Sequence, residues 1–379
     1  MERIEFKSIK DEIVRFNDDF TVEKEILKDP KGYEINLLKV SNGLLRFSVI
    51  IERAMDIGEI FYKDEKMSWQ RDINRLINPD GVDLKEDGAW EKGFYQAVAS
   101  LGPEVFGTPD EIRTPHGTGA FSKADHEKVY ITHEDDKLTV AGLVPVKGYG
   151  SEPQYEKWVY ITLKKDSCFF ERKEAFKNLT KETLPLDTGY HVQLNGSFMK
   201  EGGRYVLPVS SDRMLLRDSA PTEISPKAIY PEKLDFMPIR CYQYVPEKVY
   251  GIEEIPSFSQ CEFLYKEPDN ITAEMLVNRQ NTVAAVIIRP LSSFGRTLLA
   301  KRNDGEAMYA VEPCRTRPNS IRQKAIDGEL KYIEPGEIVE SEIVFGFSDD
   351  KETVDRLVSK IESAASYEKE IAEARRKEK

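Results

Sequence analysis

Apolar and polar side chains alternate along most of this chain, and the period changes only near its C-terminal end. Alternation with a period of two predicts half-buried β-strands. Residues 33–40 and 44–51 form two such runs around Ser41-Asn42-Gly43, and Asn-Gly is a strong hairpin signal. Runs at 128–133 and 137–144 flank Glu134-Asp135-Asp136, and runs at 157–163 and 168–176 flank a second polar turn. Further strands are expected at 273–278, 282–289, 297–302, 308–312, 330–333 and 338–347. Residues 203–270 are punctuated by proline, which suits loops and short rim strands. Segment 64–95 is dense in turn signals and suits a lid or rim over a site, and 101–120 reads as a loop. After Asp349, with Glu352 three residues on, Val354, Leu357, Val358 and Ile361 recur at helical spacing. The chain therefore reads as mainly β with a C-terminal amphipathic helix, which ends in the charged run Arg375-Arg376-Lys377-Glu378-Lys379.

One stretch concentrates chemistry. In Asp187-Thr188-Gly189-Tyr190-His191-Val192-Gln193-Leu194-Asn195, the alternation sends Tyr190, Val192 and Leu194 to one face. His191, Gln193 and Asn195 go to the other, either as a polar ligand site or as the solvated face of an edge strand. His116 lies between Pro115 and Gly117, on a constrained backbone that a ligand can approach closely. His126 and His133 are expected on the surface. Arg53 and Asp56 interrupt an apolar run and need partners if buried. Trp69 and Trp90 are either core residues or stacking platforms, and Glu312 alternates against Tyr309 and Val311 on a late strand.

Charge narrows the partners. The chain carries 67 acids against 55 bases, a formal net charge of −12. With no cationic excess to release counterions, nucleic acid is not an expected partner. No apolar run is long enough to span a membrane, and no signal-peptide core is visible, so a cytoplasmic location is expected. The four cysteines are scattered without a C-x-x-C pair, which points away from zinc and disulfides. Dinucleotide, P-loop, nucleophile-elbow and H-E-x-x-H motifs are absent. Two histidines and a carboxylate remain, a set that serves either metal ligation or proton transfer.

Five stretches, in order, carry a family resemblance. They are Arg53-Ala54-Met55-Asp56-Ile57-Gly58 followed by Trp69; His116-Gly117; Lys177-Asn178 leading into Tyr190–Asn195; Pro246-Glu247-Lys248-Val249-Tyr250; and Tyr309-Ala310-Val311-Glu312-Pro313 with Glu334-Pro335-Gly336-Glu337. Together they resemble the galactose mutarotase-like (aldose 1-epimerase) superfamily, and most closely its DUF4432 branch. The resemblance implies a large antiparallel β-sandwich over residues 1–347, with residues 348–379 as helix and tail. It implies an isomerase that interconverts sugar anomers, with a small sugar as partner and neither cofactor nor metal. By the same resemblance His191 is the general acid and starts protonated, while Glu312 is the general base and starts ionised. Arg53, Asp56, His116, Gln193 and Asn195 contact the sugar, with Glu247, or Asp235 behind it, holding hydroxyls. A non-catalytic carbohydrate-binding protein fits the same residues, as does a metal-assisted sugar isomerase or lyase using His116 and His191.

Overall fold

In the computed structural model the described residues are 2–10, 12–86, 88–199, 202–217, 227, 237–303 and 307–377. Asp235 and the last two residues of the tail lie outside them. Among the described residues the chain forms two large antiparallel sheets, one of nine strands and one of twelve. The hairpin around Asn42-Gly43 joins Glu34–Ser41 to Leu45–Ile50. There Gly43 takes φ +84°, and the Asn42 side chain accepts the Leu45 N–H at 2.7 Å. Tyr155–Lys164 pairs with Phe169–Asn178, and Ile271–Val277 with Ala284–Pro290, as their alternation predicts.

The inward faces of the two sheets meet in one apolar core. Tyr190, Val192 and Leu194 contribute from the focal stretch, with Tyr309 and Val311 from the late strand. Burying such side chains is the main stabilising term. The C-terminal helix Lys351–Lys377 seals part of this core with Val354, Leu357, Val358 and Ile361. Its cap is Asp350, whose carboxylate accepts the Thr353 N–H at 2.9 Å. Asp349, the expected cap, instead pairs with Lys63 and Tyr62. No helix among the described residues is long and apolar enough to cross a membrane.

Two other expectations change, and one short helix joins the elements. Met237–Tyr244 is a strand of eight residues inside the proline-punctuated region. Its Pro238 sits beside a register shift, where a missing N–H is tolerated. Ile321–Ile326 is a short helix capped by Ser320 that leaves too little periodicity to read. His133 is buried against Phe16 and Phe20 because its strand faces the core.

Charges are buried between the sheets. Arg172 donates to Glu174 at 2.8 Å, to Ser100 at 2.9 Å and to the Met55 carbonyl at 2.6 Å. The Asp56 carboxylate lies 3.5 Å from the same guanidinium and accepts the Ser100 N–H at 3.0 Å. Lys157 approaches Glu174 at 3.5 Å. This network ties Phe169–Asn178 of one sheet to Asp56–Tyr62 and Val98–Leu101 of the other. Ser100 is the cross-strand partner of Tyr190, so the tie lies directly behind the focal strand. Removing one member strands the others in low dielectric. Arg172→Met is expected to lose about 3–5 kcal/mol of stability in urea unfolding. A loss under about 1 kcal/mol would show that the network carries little of the inter-sheet contact.

Candidate functional site

The site face belongs to the middle of the twelve-stranded sheet. Strand Gly189–Val192 lies between Val98–Leu101 and Ala307–Cys314. The pairings Gly189–Cys314 and Val192–Val311 bring His191 beside Glu312. The register forces this neighbourhood, and a slip of one residue would turn His191 into the core. Gly189 permits the close packing, since a Cβ there would meet Phe106 and the Pro313 carbonyl at 2.8 Å.

His191 Nε2 lies 3.4 Å from Glu312 Oε1. That is long for a strong hydrogen bond, as ligand-free acid/base pairs commonly are. On its other side, His191 Nδ1 lies 3.2 Å from the Gln193 amide. An amide meets an imidazole with either its N–H or its carbonyl after a half-turn, so Gln193 supports both tautomers. The ring is roofed by Phe94 at 4.7 Å and Trp90 at 5.9 Å between centroids. His116, in the loop before Gly119–Phe121, packs on Trp90 at 4.9 Å and reaches within 6.5 Å of His191. Its left-handed backbone, φ +60°, is held by its N–H to the Gly107 carbonyl and its carbonyl to the Gly102 N–H.

Burial sets the charge states. Glu312 is 1% exposed, and desolvation pushes its carboxyl up to about 8 against a weaker opposing pull from Arg217. Desolvation also holds His191 well below the usual imidazole range, with His116 and Arg71 adding to the effect. His116 falls to about 3 through desolvation, with Lys324 and Arg217 contributing. Burial therefore favours the neutral form of both Glu312 and His191 when the site is empty. This reverses the starting states that the family resemblance implies, and the cause is the loss of water around both groups.

Several buried polar atoms at this face have no hydrogen-bond partner: Glu312 Oε2, His116 Nδ1, Gln193 Oε1, Gln243 Oε1 and Trp90 Nε1. Leaving one such atom unsatisfied costs about 1–3 kcal/mol, so their gathering on one face marks where a polar ligand would repay the deficit. Among the described residues, no three His, Cys, Asp or Glu side chains converge in a metal-binding group.

The structure thus brings together His191, Glu312, His116 and Gln193, with Asn195 further along the same stretch. Asn195 lines a separate opening of about 340 Å³ with Trp69. Arg53 does not join them. It is sealed behind the roof, donating to the carbonyls of Ala120 (2.7 Å), Gly93 (2.8 Å) and Ile77 (3.1 Å) over the Phe121 ring. Desolvation lowers it to about 10 against the pull of Asp56, so it keeps its charge. Its role is to staple the segment carrying Trp90 and Phe94 to the loop carrying His116. Asp56 lies in the inter-sheet network and Glu247 pairs with Arg213, so neither joins the His191 group. Sequence reasoning missed Arg217, at the end of Leu215–Arg217, whose charge acts on both Glu312 and His116. Its only signal was an arginine in a short strand between prolines.

The comparisons agree with this architecture. Residues 32–346 match the family model "Domain of unknown function (DUF4432)", and the chain belongs to that family. Its fold is that of galactose mutarotase-like proteins. The crystal structure of a putative aldose 1-epimerase from Klebsiella pneumoniae superposes with a TM-score of 0.75 at 16% identity, covering 95% of this chain and 93% of that one. A galactose mutarotase-like protein from Clostridium acetobutylicum gives 0.58 at 13% identity, over 88% of this chain and 100% of the other. No curated protein matches the sequence.

Two outcomes follow from the site geometry. Arg53→Leu removes the donor to three carbonyls, and a loss of about 3–5 kcal/mol in urea unfolding is expected, against under about 1 kcal/mol if the staple is dispensable. A carboxyl raised on folding stabilises the protein below its unfolded value and loses that contribution as pH rises through about 8. Glu312→Gln is therefore expected to gain stability relative to the parent as pH rises through that window, by up to a few kcal/mol. A pH-independent difference between the two proteins would contradict the raised carboxyl.

Proposed function

We propose that this protein is a sugar isomerase that interconverts anomers by acid/base ring opening between Glu312 and His191. The observation that carries the reading is the pairing of a carboxyl and an imidazole at 3.4 Å, with Glu312 Oε2 unpartnered beside them. The family and fold support it, but at such low sequence identity the solved structures speak for the fold alone.

The cycle starts from the neutral pair. His191 Nε2 accepts the proton of the anomeric hydroxyl while the Glu312 carboxyl gives its proton to the ring oxygen. The bond between the anomeric carbon and the ring oxygen breaks, and the anomeric oxygen becomes a carbonyl. The pair is left as imidazolium and carboxylate; Nε2 can take this proton only from the Nδ1–H tautomer, so the Gln193 carbonyl faces Nδ1–H throughout the cycle. After rotation about one carbon–carbon bond, the ring closes on the other face of the carbonyl. The imidazolium returns its proton to the carbonyl oxygen, and the carboxylate takes back the proton from the ring hydroxyl. Atoms balance, and the pair ends as it began. Each positioned proton transfer contributes roughly 10²–10⁴-fold. Trp90 and Phe94 exclude water from the pair and offer apolar faces to the ring.

Anomer exchange on a panel of sugars, followed by polarimetry and saturation-transfer NMR, tests the reading. The parent is expected to accelerate exchange on at least one sugar, and Glu312→Gln and His191→Ala each to lose about 100-fold or more. Exchange that survives both substitutions would exclude the pair as the catalyst. Sugar binding without any exchange would favour a carbohydrate-binding role on the same face.

A further inference from the structure

A pocket of about 140 Å³ opens toward the sheet face that carries Glu312, and three guanidinium groups from separate segments line it. Arg213 ends the turn Ser211–Arg213, Arg296 begins the strand Arg296–Asn303, and Arg317 follows the strand Ala307–Cys314. Gln243 completes the wall facing the site. The register fixes the relation to Glu312. Leu298 is the cross-strand partner of Glu312, and Gln243 is the partner of Leu298. Gln243 therefore shares the face of Glu312 two strands away, roughly 10 Å. Arg296 pairs with Cys314, which places it on the same face one row along.

The local charge runs against that of the chain. Arg296 and Arg317 share one carboxylate, Glu329, at 2.8 Å and 2.6 Å, and Arg213 pairs with Glu247. Asp327 also acts on Arg317, so these three guanidinium groups face three carboxylates. Arg217, on the row next to Gln243, forms no ion pair with an acid among the described residues, so it supplies the surplus positive charge, and its field reaches Glu312 and His116. These cations gather in a protein of net charge −12. Arginines converging from separate segments favour oxyanion recognition, because each presents a planar fork of donors. The buried and unpartnered Gln243 Oε1 faces the same region and suits a ligand hydroxyl.

We propose that this pocket receives an oxyanion, carboxylate or phosphate, carried by the sugar whose reacting carbon sits between His191 and Glu312. The substrate is then a sugar acid or a sugar phosphate, not a neutral sugar. The proposal rests on the anomer-exchange reading for the placement of the ring. Glu329 is the internal counter-ion that the ligand's oxyanion displaces or shares.

Calorimetric titration and anomer exchange with a neutral hexose, the matching hexuronate and the matching hexose 6-phosphate test it, using the parent, Arg296→Gln, Glu329→Gln and Glu312→Gln. The parent is expected to bind one charged sugar about tenfold or more tightly over the neutral one, and Arg296→Gln to lose that preference. Glu329→Gln removes the competing carboxylate and is expected to tighten charged-sugar binding several-fold, a gain that a folding defect cannot mimic. Whether the hexuronate or the phosphate shows the Arg296-dependent preference separates the two oxyanions. Equal binding of neutral and charged sugars by the parent overturns the proposal, as does a preference that survives Arg296→Gln. An Arg296-dependent preference without exchange by the parent leaves the pocket standing and removes the catalytic reading. Exchange on the neutral sugar that Glu312→Gln abolishes and charge does not affect leaves the catalytic reading and removes the pocket.

Discussion

A carboxyl and an imidazole buried side by side on neighbouring strands impose the main constraint on this molecule. Glu312 and His191 are held with almost no water around them, and burial makes either charge costly. Burial favours the neutral form of each, and the register leaves no alternative placement. A shift by one residue would send both into the apolar core and bring Tyr190, Val192 and Val311 out. The neutral state is also what makes the pair useful. A proton that rests on a carboxyl, beside an imidazole able to take another, sets up transfer in both directions without a net change in charge.

The surroundings serve that placement. Behind the focal strand, Arg172, Glu174, Asp56 and Ser100 fasten one sheet to the other through charged hydrogen bonds. Over it, Arg53 joins the two loops that carry Trp90, Phe94 and His116. Asp187 performs a similar task at the strand's entry, accepting from Phe106 N–H at 2.8 Å and from Lys324 at 2.5 Å. Each of these charges is fully enclosed and partnered, the condition under which burial is tolerable.

Much of this was legible in the alternation of side chains. The hairpin at Asn42-Gly43, the strands that follow it, and the division of residues 190–195 into an apolar back and a polar front need only a period of two. Glu312 was legible on the same ground. What the sequence concealed was burial. The resemblance makes Arg53 and Asp56 sugar contacts, yet both are enclosed among scaffold partners, and hydrogen bonds to distant carbonyls and to Ser100 cannot be seen from local pattern. The reversed charge states of His191 and Glu312 were hidden for the same reason, since desolvation depends on the Trp90 and Phe94 roof that comes from an aperiodic segment. The strand Met237–Tyr244 was obscured by Pro238, and with it the arginine pocket that its Gln243 borders.

The pH dependence of the anomer-exchange rate tests the central claim most directly. If the proton given to the ring oxygen rests on Glu312, the rate holds at neutral pH and falls as pH rises through about 8, and that break is missing from any residual rate of Glu312→Gln. A rate that climbs through the same window, or a break that persists in Glu312→Gln, would contradict it.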